Sequence, residues 1–251
     1  MIPDDDRGLM LGDGLFETLL SLDGDLQFFD EHLARMVRAC AIVGIAPPDA
    51  SDARDAAHAA ASGVAGRAAI RLTLTAGSGR GLERPANSMP RLIATASPAP
   101  LTTTPVRLRT SSIRRNPTSP ASRLKTLSYL DNVLARRQAR DEGADEALML
   151  NVQGEIACAA AANLFWIAAD RLHTPALDCG VLDGIMRAQV IAAAAALGVE
   201  TIEARAAPNE LDGAEAAFLT NSLIGVRPVA AIDGRSLGVH RLAEVLSRSG
   251  R

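Results

Sequence analysis

The spacing of apolar residues changes period several times along the first hundred positions. Leu15 to Leu22 is mostly apolar and reads as a strand. Asp23-Gly24 suits the left-handed positions of a type I′ turn, and 26–29 follows as a short return strand. Leu33, Met36, Val37 and Cys40 then recur at helical spacing, which predicts a helix capped by Asp30 and stopped by Gly44. A second, alanine-rich helix is expected over 50–61. The period next falls to two. Ala68, Ile70, Leu72 and Leu74 alternate with Ala69, Arg71 and Thr73, the pattern of a half-buried strand over 67–75. Gly77 to Gly81 and Pro85 form a loop, and strands are expected over 91–96 and 106–110.

Pro98, Pro100 and Pro105 flank three consecutive threonines and read as a linker between two halves. The expected division is a small N-terminal α/β domain over 1–108 and a larger C-terminal domain over 109–251. In the second half a helix is expected over 127–142, ended by Gly143, followed by strands over 146–150, 156–158 and 164–168. A long helix opens at Gly184 and closes at Gly198, and two strands, 199–204 and 217–221, lie around Pro208. No internal repeat is evident. Hairpins mixed with helices favour an α+β architecture over a doubly wound sheet.

Composition narrows the function classes. At 48% apolar and 22% charged residues the chain is too apolar for disorder as its main state. A net charge of −3 offers no basic excess for nucleic acid or an anionic membrane, and 3% aromatic residues argue against a base-stacking platform. The alanine-rich run 191–197 is far shorter than the roughly 20 residues of a membrane span. The first residues lack the basic start and apolar stretch of a signal peptide. Cys40, Cys158 and Cys179 are odd in number and far apart, and the four histidines show no metal-ligand spacing. The expectations are a cytoplasmic protein with no metal, no nucleic-acid partner and no membrane association.

Four segments carry candidate chemistry. Lys125 lies between an apolar residue and a helix start, in Arg123-Leu-Lys-Thr-Leu-Ser-Tyr-Leu-Asp-Asn132. Such a lysine is ordinarily a surface residue. If buried, it loses charge or finds a partner, and either outcome can make it a nucleophile toward carbonyls. The second segment is Gly154 to Trp166, which contains Asn163. In the third, Leu172 to Pro175 precedes Leu182-Asp-Gly-Ile-Met-Arg187, where a glycine at a helix start lets backbone amides approach an anion. The fourth, Leu219-Thr-Asn-Ser-Leu223, ends a strand in small polar residues that suit a turn or a phosphate contact.

In this order and spacing the four segments resemble the class IV aminotransferases, the fold-type-IV family that uses pyridoxal 5′-phosphate (PLP). Gly12-Asp-Gly-Leu-Phe-Glu-Thr18 and His32-Leu-Ala-Arg35 extend the resemblance to nearly the whole chain. The resemblance implies a two-domain fold like that of D-amino-acid aminotransferase, a small-molecule amino substrate and a homodimer. It implies that Lys125 forms a Schiff base with PLP and that Arg35 grips the phosphate. Backbone amides of Ile185 and Met186 add phosphate contacts, Ser222 supplies a hydroxyl, and Asn163 lies on a strand lining the cofactor. The family glutamate that meets the pyridine nitrogen of PLP aligns with Cys158. Glu155, three positions earlier on a strand, should point the other way.

Within the family, Gly77 to Gly81, Arg115-Asn-Pro117, Ala162 to Trp166 and Cys179 to Arg187 resemble the 4-amino-4-deoxychorismate lyases, which release pyruvate and p-aminobenzoate. The segment at Lys125 also resembles D-amino-acid transaminases, but their arginine–x–histidine pair is missing; Arg91-Leu-Ile93 is the nearest stretch. The glycine-containing segment that branched-chain transaminases carry after the lysine is absent. A class IV aminotransferase acting on D- or branched-chain amino acids remains an alternative. So does a weakly active or inactive PLP-binding homologue, because Cys158 replaces an acid.

Overall fold

The computed structural model describes residues 2–249, which fall into two compact units. The first comprises residues 1–101 with 124–129, the second 102–123 with 130–251. In the first unit, α1 (Arg7–Leu11) is capped by Asp6, whose side chain accepts from Gly8 N. There follow β1 (Gly14–Leu22), β2 (Asp25–Leu26), α2 (Phe29–Val43), α3 (Ala50–Ala61), β3 (Arg67–Thr75) and β4 (Arg91–Pro98). The strands form one antiparallel sheet in the order β2-β1-β3-β4, with β1 and β3 in register from Gly14↔Thr75 to Leu22↔Arg67. Asp23 and Gly24 both have positive φ, as the type I′ turn requires. The two-residue β2 is shorter than the return strand expected over 26–29, because α2 begins at Phe29. Phe28 in the left-handed region caps α2 without a side-chain bond. Asp30, the expected cap, lies inside the first turn, where its charge still favours the helix dipole.

The buried row of β3, Ala68, Ile70, Leu72 and Leu74, packs with Leu15 and Leu19 of β1, Leu33, Met36 and Cys40 of α2, and Ala53, Ala57 and Ala61 of α3. Each fully buried leucine or isoleucine is worth roughly 1.5–3 kcal/mol, and the small alanines let α3 lie close to the sheet. Residues 124–129 join this unit through its backbone. Phe16 N donates to Lys125 O at 2.8 Å, and Leu127 N donates to Gly14 O at 3.0 Å. That pairing shortens the helix expected over 127–142.

The second unit contains β5 (Val106–Thr110), α4 (Pro120–Arg123), α5 (Leu130–Asp141), β6 (Glu146–Leu150), β7 (Ile156–Ala159), β8 (Asn163–Ala168) and β9 (Arg171–Pro175). It continues with α6 (Ile185–Ala196), β10 (Thr201–Ala204), β11 (Ala216–Asn221), β12 (Gly225–Ile232), β13 (Arg235–Ser236) and α7 (Arg241–Ser249). One mixed sheet runs β10-β9-β8-β11-β12-β5-β6-β7, with β13 on β12. Because β5 pairs in parallel with both β12 and β6, it belongs to the second unit. The division therefore falls after Leu101 and readmits 124–129, unlike the single cut expected after residue 108. Among the described residues, no helix is long and apolar enough to cross a membrane.

Candidate active site

In the first unit the register Thr18↔Arg71 and Phe16↔Thr73 places Phe16 and Arg71 on one face of the sheet. Lys125, paired beside Phe16, joins them. Its Nζ lies 4.2 Å from the Phe16 ring centroid and 5.3 Å from that of Tyr129, and the two rings meet edge to face at 5.1 Å. Burial holds the Lys125 amine down at about 8; Glu17 pulls it up, and Arg35 and Arg71 push it down. This is a half-buried amine in an aromatic setting, not a solvated surface lysine. The Arg71 guanidinium stacks 3.7 Å from the Phe16 centroid, and its Nε donates to Thr73 Oγ1 at 3.2 Å. Among the described residues Arg71 has no carboxylate partner.

On the opposite face Glu17 is buried against α2. It accepts from His32 Nδ1 at 2.7 Å and from Arg35 Nε and Nη2 at 2.9 and 2.5 Å. Burial opposes the charge of Glu17, but the bonds from His32 and Arg35 prevail and hold the carboxyl at about 2, below its ordinary 4.5. A carboxylate depressed in the folded state stabilises the fold above its unfolded value. Stability from Glu17 is therefore fully present above pH 4.5 and is lost as pH falls toward about 2. Denaturant titrations at pH 5 and pH 3 should show this loss in wild type and its absence in Glu17→Gln; equal pH dependence of the two proteins would contradict it. Sequence reasoning singled out Lys125 and Arg35 but missed Glu17 and Arg71, whose roles depend on register and on what packs above each face.

The second unit places the other candidates. Asn163 opens β8 and donates from Nδ2 to Leu182 O at 2.9 Å. A Cβ on Gly184 would lie 2.0 Å from Asn163 Oδ1, so only glycine fits where this loop enters α6. Gly184 caps α6 without a side-chain bond, leaving the first-turn amides, those of Ile185 and Met186 among them, without intrahelical acceptors. Thr220, paired with Asn163 across β8 and β11, is fully buried, and its Oγ1 has no partner. Ser222 sits in the turn after β11, shaped by Asn221 Oδ1 accepting from the amides of Leu223 and Ile224.

Cys158 lies on β7 opposite Met149, buried among Ala135, Ala139, Ala147 and Cys179. Burial pushes its thiol up; Arg115 pulls it down and Glu146 pushes it further up. Glu155 is engaged by Asn151 and Arg205 and does not replace an acid at Cys158. Arg91 pairs with the buried Asp6, which removes the stretch 91–93 as a carboxylate contact. The histidine spacing gave no metal signal, yet the second unit gathers Asp170, Glu215 and His240, with ligand atoms within 4.8 Å of one another. His240 Nδ1 accepts from Leu242 N, so the neutral ring carries its proton on Nε2, the atom facing the carboxylates. That tautomer suits hydrogen bonding rather than a metal.

Each unit, taken by itself, offers groups suited to part of a phosphate-bearing aldehyde. The first unit offers an amine near neutrality and two guanidinium groups against one carboxylate. The second offers an uncapped helix start, a glycine held bare by Asn163 and a buried hydroxyl without a partner. If Arg35 grips the phosphate, Arg35→Ala should weaken PLP binding about 10–150-fold, the equivalent of a charge-assisted bond of about 1.5–3 kcal/mol. It should also lower stability, since Glu17 loses a partner; Ser222→Ala should cost less. Equilibrium titration with PLP checks this, and unchanged affinity in Arg35→Ala would defeat it.

The family described as Amino-transferase class IV matches this chain over residues 14–232. The aminodeoxychorismate lyase of Bacillus subtilis (strain 168) is 28% identical over 240 residues, spanning 93% of this chain and 82% of its own length. Among solved structures, the 4-amino-4-deoxychorismate lyase from Pseudomonas aeruginosa aligns with a TM-score of 0.90 at 33% identity, covering 99% of this chain and 93% of that one. A branched-chain aminotransferase from the archaeon Thermoproteus uzoniensis, with norvaline, aligns with a TM-score of 0.91 at 26% identity, covering 100% and 88%.

Proposed function

The chain belongs to the class IV aminotransferases and is a PLP-dependent enzyme, and from that premise we propose that it is a lyase releasing pyruvate and p-aminobenzoate from 4-amino-4-deoxychorismate. The observation that carries this reading is the pairing, on one sheet face, of the Lys125 amine with Arg71, a guanidinium without a carboxylate. A substrate bearing both an amine and a carboxylate answers both groups. Similarity to aminodeoxychorismate lyases over more than nine-tenths of the chain supports the same class.

When bound, PLP supplies an aldehyde that captures amines and a ring that accepts the electron pair left when a proton departs the adjacent carbon. Lys125 would hold the aldehyde, and Arg35, the amides of Ile185 and Met186, and Ser222 would hold the phosphate. Asn163 fixes the loop that enters α6. Near pH 8 roughly half of the Lys125 amine is neutral, so Nζ can take up a proton and return it. Arg71 orients the substrate carboxylate, while Phe16 and Tyr129 shield the amine from water.

The test is an assay of 4-amino-4-deoxychorismate beside D- and L-amino acids with keto-acid acceptors. Pyruvate and p-aminobenzoate formed without an acceptor support the lyase; amino transfer alone selects the aminotransferase, and neither activity selects a PLP-binding homologue. A homodimer is part of the proposal. Exposed Leu9 and Met10 on α1 and Leu82 support an apolar contact, and sedimentation of the full chain checks it.

Cys158 bears on the choice between reactions. It stands where the resemblance implies an acid toward the ring nitrogen, and burial keeps its thiol neutral. A weaker electron pull should hamper transamination more than elimination, because a departing leaving group relieves the charge at carbon. Cys158→Glu should therefore speed the half-reaction with an amino acid by about tenfold, if it restores one charged bond of about 1.5 kcal/mol. Stopped-flow absorbance measures this. Vigorous transamination in wild type with no gain in Cys158→Glu would sink it.

A further inference from the structure

The first turn of α6 contains an arginine where helix stability alone would favour an acid, because a cation there opposes the helix macrodipole. Arg187 follows Met186 directly and is 3% exposed. Its Nη2 donates to Pro175 O at 3.3 Å and to Glu203 Oε2 at 2.5 Å, while its Nε is buried without a partner. An apolar side chain of similar volume would avoid the cost of burying an incompletely paired guanidinium. Arg187 instead closes a loop. Pro175 ends β9, and the chain runs through 176–184 before entering α6. From the far end of that loop Arg187 reaches back to Pro175 and to Glu203 on the edge strand β10, where Glu203 and Ala204 pair with Thr174 and Pro175. Asn163 holds the same loop at Leu182 O, 2.9 Å from its Nδ2. A Cβ on Gly184 would lie 2.0 Å from Asn163 Oδ1 and 3.3 Å from Arg187 Cβ, so the helix start runs between the two anchoring side chains. All of these residues belong to the second unit.

We infer that Arg187 is a positioning residue: by stapling the first turn of α6 to Pro175 and Glu203 at the β9–β10 edge, it sets the direction in which the Ile185 and Met186 amides meet the cofactor phosphate. It acts through the backbone that it anchors. The inference rests on the reading of those amides as phosphate contacts and extends it, because the grip then depends on a buried cation and on its half-exposed counter-ion Glu203. The amides come immediately before Arg187 on the same helical turn, so a first turn released from Pro175 and Glu203 carries them with it. A staple that served stability alone would lower the melting temperature and treat phosphorylated and unphosphorylated ligands alike.

The experiment compares PLP with pyridoxal, which lacks the phosphate, on the full chain freed of cofactor. Absorbance titration gives a dissociation constant for each, and their ratio measures the phosphate grip. Arg187→Gln should cut the preference for PLP about tenfold, roughly the loss of one or two neutral amide bonds, and leave pyridoxal binding within about twofold. Glu203→Gln, at a half-exposed position, should move the preference the same way by a smaller factor. The double variant should do no worse than Arg187→Gln alone, because both act through one contact. A preference that Arg187→Gln leaves unchanged, or equal losses for PLP and pyridoxal, overturns the inference even where the melting temperature falls. If Arg187→Gln does not fold, Glu203→Gln decides: a reduced preference supports the inference and a wild-type preference overturns it. Wild-type protein that binds PLP no better than pyridoxal defeats the phosphate reading itself, a different outcome from a preference that the variants leave unmoved.

Discussion

Lys125→Ala should lose turnover by more than the roughly 10²–10⁴-fold that a missing acid–base group costs, because the same nitrogen both holds the aldehyde and moves the proton. The fold should survive the change. The segment is tied to β1 by main-chain bonds, Phe16 N to Lys125 O and Leu127 N to Gly14 O, which alanine keeps. Removing a half-buried amine also removes a desolvation penalty, so thermal stability should stay level or rise. Initial rates with and without added PLP, melting curves, and borohydride labelling with peptide mapping give three independent readouts. Lys125 is the only lysine in the sequence, so covalent label on any peptide that lacks it, or retention of PLP in covalent form by Lys125→Ala, would refute the assignment. A variant that loses activity only because it unfolds would show itself in the melting curve.

The periodic parts of the fold were legible without coordinates. The alternation over 67–75 is β3, and its four apolar members are the buried row. The alanine-rich stretch over 50–61 matches α3, and Gly44 ends α2 in the left-handed region. What escaped was structure without a period of its own. β12 carries Gly225 and Pro228 and no clear alternation, and it forms because β11 and β5 flank it. β9 and α7 were also unforeseen, although Leu242 and Leu246 of α7 lie at helical spacing. The helix expected from 127 starts at Leu130 because residues 124–129 are drawn into a pairing with β1 that is distant in sequence.

The site divides in the same way. Motif spacing singled out Lys125, Arg35, Asn163 and the start of α6 as candidates, through their resemblance to the family's motifs. Glu17 was visible as a member of the Gly12–Thr18 motif, with no role attached, and Arg71 only as a member of a strand. Which face each occupies follows from the β1–β3 register, and that Arg71 is left without a carboxylate follows from what does not pack against it. Arg91 illustrates the reverse: it lay in the stretch nearest to a carboxylate motif, yet Asp6, 85 residues away, occupies it.

Arg71→Ala should raise KM for a carboxylate-bearing substrate by about 10–150-fold, the equivalent of one charge-assisted hydrogen bond of about 1.5–3 kcal/mol. A guanidinium stacked on Phe16 is pre-oriented, so its planar fork is offered to an anion with little further ordering. Its burial lowers its proton affinity somewhat, with Tyr129 offsetting part of that, but an arginine stays charged across the working range. The substitution removes no ion pair among the described residues, so stability should change little. PLP affinity should also hold if Arg35 and the second unit carry the phosphate. Arg71→Lys should recover part of the loss, since a point charge replaces the fork without its geometry. The decisive comparison is an amine substrate that lacks the carboxylate. Its reaction should be nearly indifferent to Arg71→Ala, while the carboxylate-bearing substrate suffers. Equal losses for both would show that Arg71 acts on the amine of Lys125 alone and not on a substrate anion. No loss for either would remove Arg71 from the site.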